Sequence, residues 1–197
     1  MNSIYYILSP QYSLRGWKRL PYAVQHLYQP GTVFMREHEW QLLKACDGHT
    51  GIAPDLLSDD DIALYEKWEK SGIIRRSSGC EDLLPVQEYR FYGARFKEEV
   101  QWSVTGRCNS HCRHCFMSAP HSAQGEPSWE QLMQILDAFE RCGIKGISLT
   151  GGEPLVRSDF LKLAEEITRR EMFITVIYSN GMLVSDGILD SLEARGI

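Results

Sequence analysis

Three thiols stand at Cys108, Cys112 and Cys115, the i, i+4 and i+7 positions of the run Cys-Asn-Ser-His-Cys-Arg-His-Cys. Thiolates select soft metals, chiefly zinc and iron–sulfur clusters. Four would saturate a tetrahedral zinc or the four irons of a cubane, whereas three leave one metal corner open to chemistry. A zinc site of these three thiols with His111 or His114 is the other reading the spacing allows. Two further stretches are polar and turn-forming: Gly151-Gly152-Glu153-Pro154, a glycine pair followed by a carboxylate, and Ser179-Asn180-Gly181. The remaining three of the six cysteines are scattered, which suits a metal site better than a disulfide framework. Cys46 reads as a core residue and Cys80 as an incidental exposed thiol.

Each of the three stretches needs an element to deliver it. The cysteine run follows Val100–Thr105, which alternates apolar and polar residues as a strand does. Pro127-Ser128 then opens a helix with a capping box between Ser128 and Gln131. Trp129, Leu132, Met133, Leu136 and Phe139 mark its packing face, and Cys142-Gly143 ends it. A buried strand at 146–150 runs into the glycine pair. The next helix sets Phe160, Leu163, Ala164 and Ile167 on one side. The strand at 172–178 is apolar enough to be covered on both faces and exits into Ser179-Asn180-Gly181. A last helix spans about Ser185 to Arg195. The order βαβαβα implies parallel strands with right-handed crossovers, whose ligands gather at the carboxyl ends of the strands. All three polar stretches fall at that rim.

The motif Cys108-x-x-x-Cys112-x-x-Cys115, followed one strand later by Gly151-Gly152-Glu153-Pro154, resembles the radical S-adenosylmethionine superfamily over about residues 98–197. The resemblance implies that Cys108, Cys112 and Cys115 hold a [4Fe–4S] cluster, whose open iron takes the amino and carboxylate groups of S-adenosylmethionine. It places Glu153 near the methionine amino group and His114 near the adenine. Gly151 and Gly152 allow close backbone approach, and Ser179 and Asn180 face the cofactor. The implied chemistry is reductive cleavage of S-adenosylmethionine to a 5′-deoxyadenosyl radical that abstracts a substrate hydrogen. A reductant such as flavodoxin or ferredoxin is implied as well. His111, His121 and the other histidines read as solvent-facing or packing residues.

The first half reads differently. Residues 4–8 and roughly 14–35 are strand-like and punctuated by proline and glycine. A helix from Arg36 carries Trp40, Leu43 and Cys46 and stops at Asp47-Gly48. Ser58 and Asp61 form a capping box for a second helix, with Ile62, Tyr65 and Trp68 inward, which ends near Ser71-Gly72 ahead of a closing strand at 73–76. This is a small α+β winged-helix-like module at residues 1–78, joined by a linker at 79–97. Residues 1–97 hold twelve Lys/Arg against twelve Asp/Glu, so the positive surface that DNA binding needs is missing. Leu42–Gly48 with Gly72-Ile73-Ile74 resembles the PqqD-like peptide-recognition domain. There the leader of a precursor peptide adds as a strand to a sheet edge beside a helix, a case of β-augmentation. A purely structural cap is the alternative.

Together the two resemblances imply a radical enzyme that modifies a ribosomally made precursor peptide. The first guess is a thioether crosslink of the sactipeptide or ranthipeptide type. The alternatives are a non-peptide substrate, or a non-catalytic peptide-binding protein with a structural metal. A net charge of −5 argues against a nucleic-acid or anionic-membrane surface. The amino-terminal residues 1–8 lack signal-peptide features and no run is long enough for a membrane span, so a cytoplasmic protein is expected. Three βα units are half of the family's partial TIM barrel. A truncated chain is therefore expected, with an open apolar edge at its third strand and weak turnover of S-adenosylmethionine.

Overall fold

Burial follows the apolar periodicity into two separate cores, one in each of two units, Met1–Arg95 and Phe96–Ile197. The computed structural model describes residues 3–119 and 125–197. His121 and the first two residues of the amino-terminal stretch lie outside them.

In the first unit, β1 (Tyr6–Leu8) pairs antiparallel with β5 (Ile74–Arg76). Strands β2 (Tyr12–Trp17), β3 (Leu20–His26) and β4 (Thr32–Phe34) form an antiparallel meander. Two helices, α1 (Glu37–Lys44) and α2 (Asp59–Lys70), and a short 3-10 turn (Pro54–Leu56) complete the unit. Trp40, Leu43, Cys46, Tyr65 and Trp68 enter one core with Tyr6, Leu8 and Ile74, while Ile62 is half-buried. The Ser58–Asp61 capping box forms, each side chain bonding the other's backbone N–H. Burial pushes the Cys46 thiol well up, which makes it an inert packing group.

Two details depart from expectation. Helix α1 ends at Lys44, ahead of Asp47-Gly48. There Leu8 N–H donates to Cys46 O and Gly48 N–H to Tyr6 O, while the Asp47 carboxylate accepts from His49 and Thr50, so β1 draws the chain out of the helix. Residues 79–97, expected as a linker, contain β6 (Arg90–Tyr92), which pairs parallel with β2. That pairing joins segments 75 positions apart at Arg15 and Arg90, a separation no local pattern reveals.

The second unit has a three-stranded parallel sheet in the order β7 (Glu99–Ser103), β8 (Gly146–Thr150), β9 (Phe173–Ile177). Helices α3 (Trp129–Cys142), α4 (Phe160–Arg169) and α5 (Asp186–Glu193) follow the strands in turn. The Ser128–Gln131 capping box starts α3, and Gly143 ends it in the left-handed conformation. Trp102, Ile147, Leu149 and Ile174 pack with Leu132, Leu136, Leu163 and Ile167 in one apolar layer. The opposite face carries Glu99, Ser148 and Thr175, one from each strand, with the Glu99 carboxylate accepting from both hydroxyls. Those bonds, from Ser148 first, hold the Glu99 carboxyl below its ordinary value.

Strand β9 is not covered on both faces: Val176 is 41% exposed, and Tyr178, just past the strand, 52%. Among the described residues it pairs only with β8 and so forms an open edge. No helix among them is long and apolar enough to cross a membrane.

Helix α4 is fixed to α3 by charge. Arg170 pairs with Asp137 of α3 and with Glu166, which also takes Arg169 at 2.6 Å. Hydrogen bonds from Arg169 first, and from Arg170, depress the Glu166 carboxyl to about 2. A depressed carboxylate contributes stability above its unfolded value and loses it as pH falls through the folded one. The Glu166→Gln chain is therefore expected to unfold about 1 kcal/mol more easily at pH 7. That difference should fade between pH 4.5 and about 2 in urea titrations run at several pH values.

Candidate metal and cofactor site

The three polar stretches meet at the carboxyl ends of the parallel strands, and backbone hydrogen bonds hold them there. Past β7, Val104 N–H donates to Thr150 O, Gly152 N–H to Thr105 O and Glu153 N–H to Arg107 O. The glycine stretch thus runs alongside the entry of the cysteine loop as an extension of the sheet.

This contact explains the glycine pair. A Cβ on Gly151, whose φ is +150°, would collide with Thr105 O. One on Gly152 would collide with Arg107 O and sit 3.0 Å from Cys108 Cβ. The close approach that needs glycine is therefore to the cysteine loop's own backbone.

Glu153 is fully buried. Its Oε1 accepts from Leu155 N–H at 3.0 Å and its Oε2 from Asn180 N–H at 2.7 Å, so the carboxylate ties the exit of β8 to the exit of β9. Asn180 continues the link. Its Nδ2 donates to Asn109 Oδ1 at 2.8 Å and to Ser110 Oγ at 3.3 Å, both within the cysteine loop. Ser179 Oγ accepts from Gly181 N–H and shapes its own turn. Of the candidate cofactor residues, Gly151, Gly152, Glu153 and Asn180 thus form one connected network with the cysteine loop. His114 is exposed on that loop.

Cys108 and Cys115 are half-buried and Cys112 is exposed, all three as free thiols. Cys115 N–H donates to Cys112 O in a turn, and Ser110 N–H donates to Cys108 Sγ at 3.4 Å. The thiols share one loop rather than one point: among the described residues no three His, Cys, Asp or Glu side chains are placed to hold a metal ion together. The donor set nonetheless fits an iron–sulfur cluster in its chemistry, with three unpaired thiols and an N–H already aimed at one sulfur, a bond type that tunes cluster potentials.

Some participants were not readable from the sequence. Asn109 and Ser110 gave no signal beyond lying between two cysteines. Arg157 follows the glycine stretch without any motif, yet it is buried and bonded to backbone on both sides of the cysteine loop.

Known proteins resemble the chain in sequence and in fold. Residues 102–197 match the radical SAM superfamily. A GTP 3′,8-cyclase of Haemophilus influenzae is 31% identical over 117 residues, 56% of this chain and 32% of that protein. The mycofactocin maturase MftC of Mycobacterium ulcerans is 32% identical over 95 residues, 48% of this chain and 26% of that protein. The crystal structure of Streptococcus suis SuiB bound to precursor peptide SuiA shares the fold at a TM-score of 0.54 and 16% identity, over 95% of this chain and 45% of SuiB. The chain thus spans about a third or less of these curated relatives and under half of SuiB. Residues 102–197, just under half of the chain, are thus similar to the radical SAM superfamily, which uses a [4Fe–4S] cluster and S-adenosylmethionine.

Proposed function

We propose that this chain belongs to a radical SAM maturase acting on a ribosomally synthesised precursor peptide, with Met1–Arg95 as the peptide-recognition unit. The observation that carries this reading is the extent of the fold likeness. It covers 95% of the chain, both units together, in a protein whose structure holds its precursor peptide. A named maturase among the sequence relatives supports it further.

Cys108, Cys112 and Cys115 hold the cluster in this reading, and the rim formed by Gly151, Gly152, Glu153, Ser179, Asn180 and His114 receives S-adenosylmethionine. When bound, the reduced cluster supplies the electron that cleaves S-adenosylmethionine. The chain's own share is orientation and exclusion of water. Glu153 and Asn180 fix the spacing between the three loops, and the hydrogen bond from Ser110 N–H to Cys108 Sγ adjusts the electron density on that sulfur.

The first unit is read as a winged-helix-like, PqqD-like module. Strand β5 has a free edge among the described residues, next to α2 and a cavity of about 140 Å³ lined by Tyr6, Ile52, Leu57, Ile62 and Tyr65. An extended leader would add to that edge through backbone hydrogen bonds and seat an apolar side chain in the cavity. A thioether crosslink is the modification first tested, and flavodoxin or ferredoxin the reductant.

The cyclase relatives favour a second reading, a nucleotide substrate with the first unit as a structural cap. Titrating the protein with synthetic precursor peptides encoded beside its gene separates the two. Saturable, micromolar or tighter binding that is lost on replacing Arg76 and Tyr65 at the cavity supports the peptide reading. If none of those peptides binds while GTP does, the second reading prevails. Anaerobic reconstitution with iron and sulfide counting tests the metal centre separately, and a protein that takes up only zinc would remove the radical reading.

A further inference from the structure

We propose that Arg157 is a positioning residue for the metal centre, a buried guanidinium clamp that fixes the two ends of the segment carrying Cys108, Cys112 and Cys115. Its purpose rests on those thiols being the cluster ligands. Its geometry does not. The side chain is 3% exposed. Nη1 donates to Val104 O at 2.9 Å, where the chain leaves β7, and to Pro127 O at 3.1 Å, just ahead of the residue that caps α3. One guanidinium nitrogen thereby spans the entry and exit of the loop.

The other nitrogens fix the direction of that nitrogen. Nε and Nη2 meet Asp159 Oδ1 and Oδ2 at 2.9 Å each, a fork-to-fork pair at the N-cap of α4. Glu126, also at the loop's exit, lies 3.5 Å from Nη1 and pairs with Arg107 at its entry at 2.7 Å. Two carboxylates offset the cost of burying the cation, and two carbonyls take both hydrogens of Nη1. The glycine stretch braces the loop's entry at Thr105 and Arg107. Arg157 extends that brace to the exit from a rigid helix end, which lowers the freedom of a long loop whose closure costs entropy. Lysine keeps the charge but not the planar fork, so it cannot hold both carbonyls and Asp159 at once.

The test uses the full chain, as wild type, Arg157→Lys and Asp159→Asn, the last retaining the guanidinium but releasing its orienting fork. In the reduced apoprotein, iodoacetamide labelling of each cysteine is followed by mass spectrometry, with Cys142 of α3 as the reference in the same unit. Cys108 and Cys115 are expected to label about tenfold faster relative to Cys142 in Arg157→Lys, and by a smaller factor in Asp159→Asn. After anaerobic reconstitution, the variants are expected to lose iron to a chelator about tenfold faster than wild type. Ratios to Cys142 that stay unchanged in the folded variants would overturn the clamp. So would a rise shared equally by Cys142, which marks general loosening. A wild type that takes up no cluster would sink the ligand assignment instead, while the labelling ratios still decide whether Arg157 holds the loop.

Discussion

The Cys112→Ala chain, reconstituted anaerobically with iron and sulfide, is expected to hold less than about a tenth of the wild-type cluster, and Cys108→Ala and Cys115→Ala to behave alike. A cubane held by three thiolates has no spare protein ligand, so each loss leaves two coordinated corners. The substitutions themselves should cost little stability, since Cys112 is exposed and the other two are half-buried. Loss of iron is thereby separated from loss of fold. Two controls sharpen the test. Cys80→Ala, in the other unit, and Cys142→Ala, in α3, should leave iron content unchanged. Iron and sulfide analysis with the visible charge-transfer absorbance provides the measurement. Full cluster in all three loop variants would show that these thiols are not the ligands.

Gly152→Ala is expected to disrupt the site nearly as strongly while leaving every thiol in place. The added methyl enters the space of Arg107 O and reaches Cys108 Cβ, both backbone-anchored neighbours that cannot swing aside. Either the glycine stretch lifts off the cysteine loop, breaking the Glu153 N–H to Arg107 O bond, or the loop moves outward with Cys108. Overpacking of this kind costs about 1–3 kcal/mol. Cluster uptake should fall in parallel, because ligand positions, not ligand identities, have changed. Gly187 in the first turn of α5 is the matched comparison. A Cβ there meets nothing within 4 Å, and alanine favours the helix by roughly 0.5–1 kcal/mol. Urea midpoints and iron content for the two variants should move in opposite directions in stability, with only Gly152→Ala losing iron. Equal iron content in both would mean the glycine pair does not brace the loop.

The local grammar of the chain was largely legible. Ser58 with Asp61 and Ser128 with Gln131 are capping boxes because each acts across three residues, within reach of simple spacing. The βαβαβα order could be read because each strand and helix carries its own period. Where elements depend on distant partners, the reading weakened. The extent of α1 is set by β1, which takes the backbone of Cys46 and Gly48. Strand β6 exists because β2 offers an edge, although nothing in Arg90–Tyr92 announces it. Strand β9 has the composition of a strand covered on both sides, yet its exposure depends on what lies beside it.

At the site, the donor chemistry could be read from the chain alone: three thiols at fixed spacing, a glycine pair and a carboxylate, each at the end of a parallel strand. Residue type and spacing settle which atoms are available, because those are covalent facts. What those groups face is set by the packing of the folded unit. It buries Glu153 between Leu155 and Asn180, packs Gly152 against Cys108, and aims Arg157 at carbonyls on both sides of the loop. Val104 and Pro127 are separated from Arg157 by 53 and 30 positions. Contacts at such range form only when whole strands and helices pack, so no local pattern in the chain encodes them.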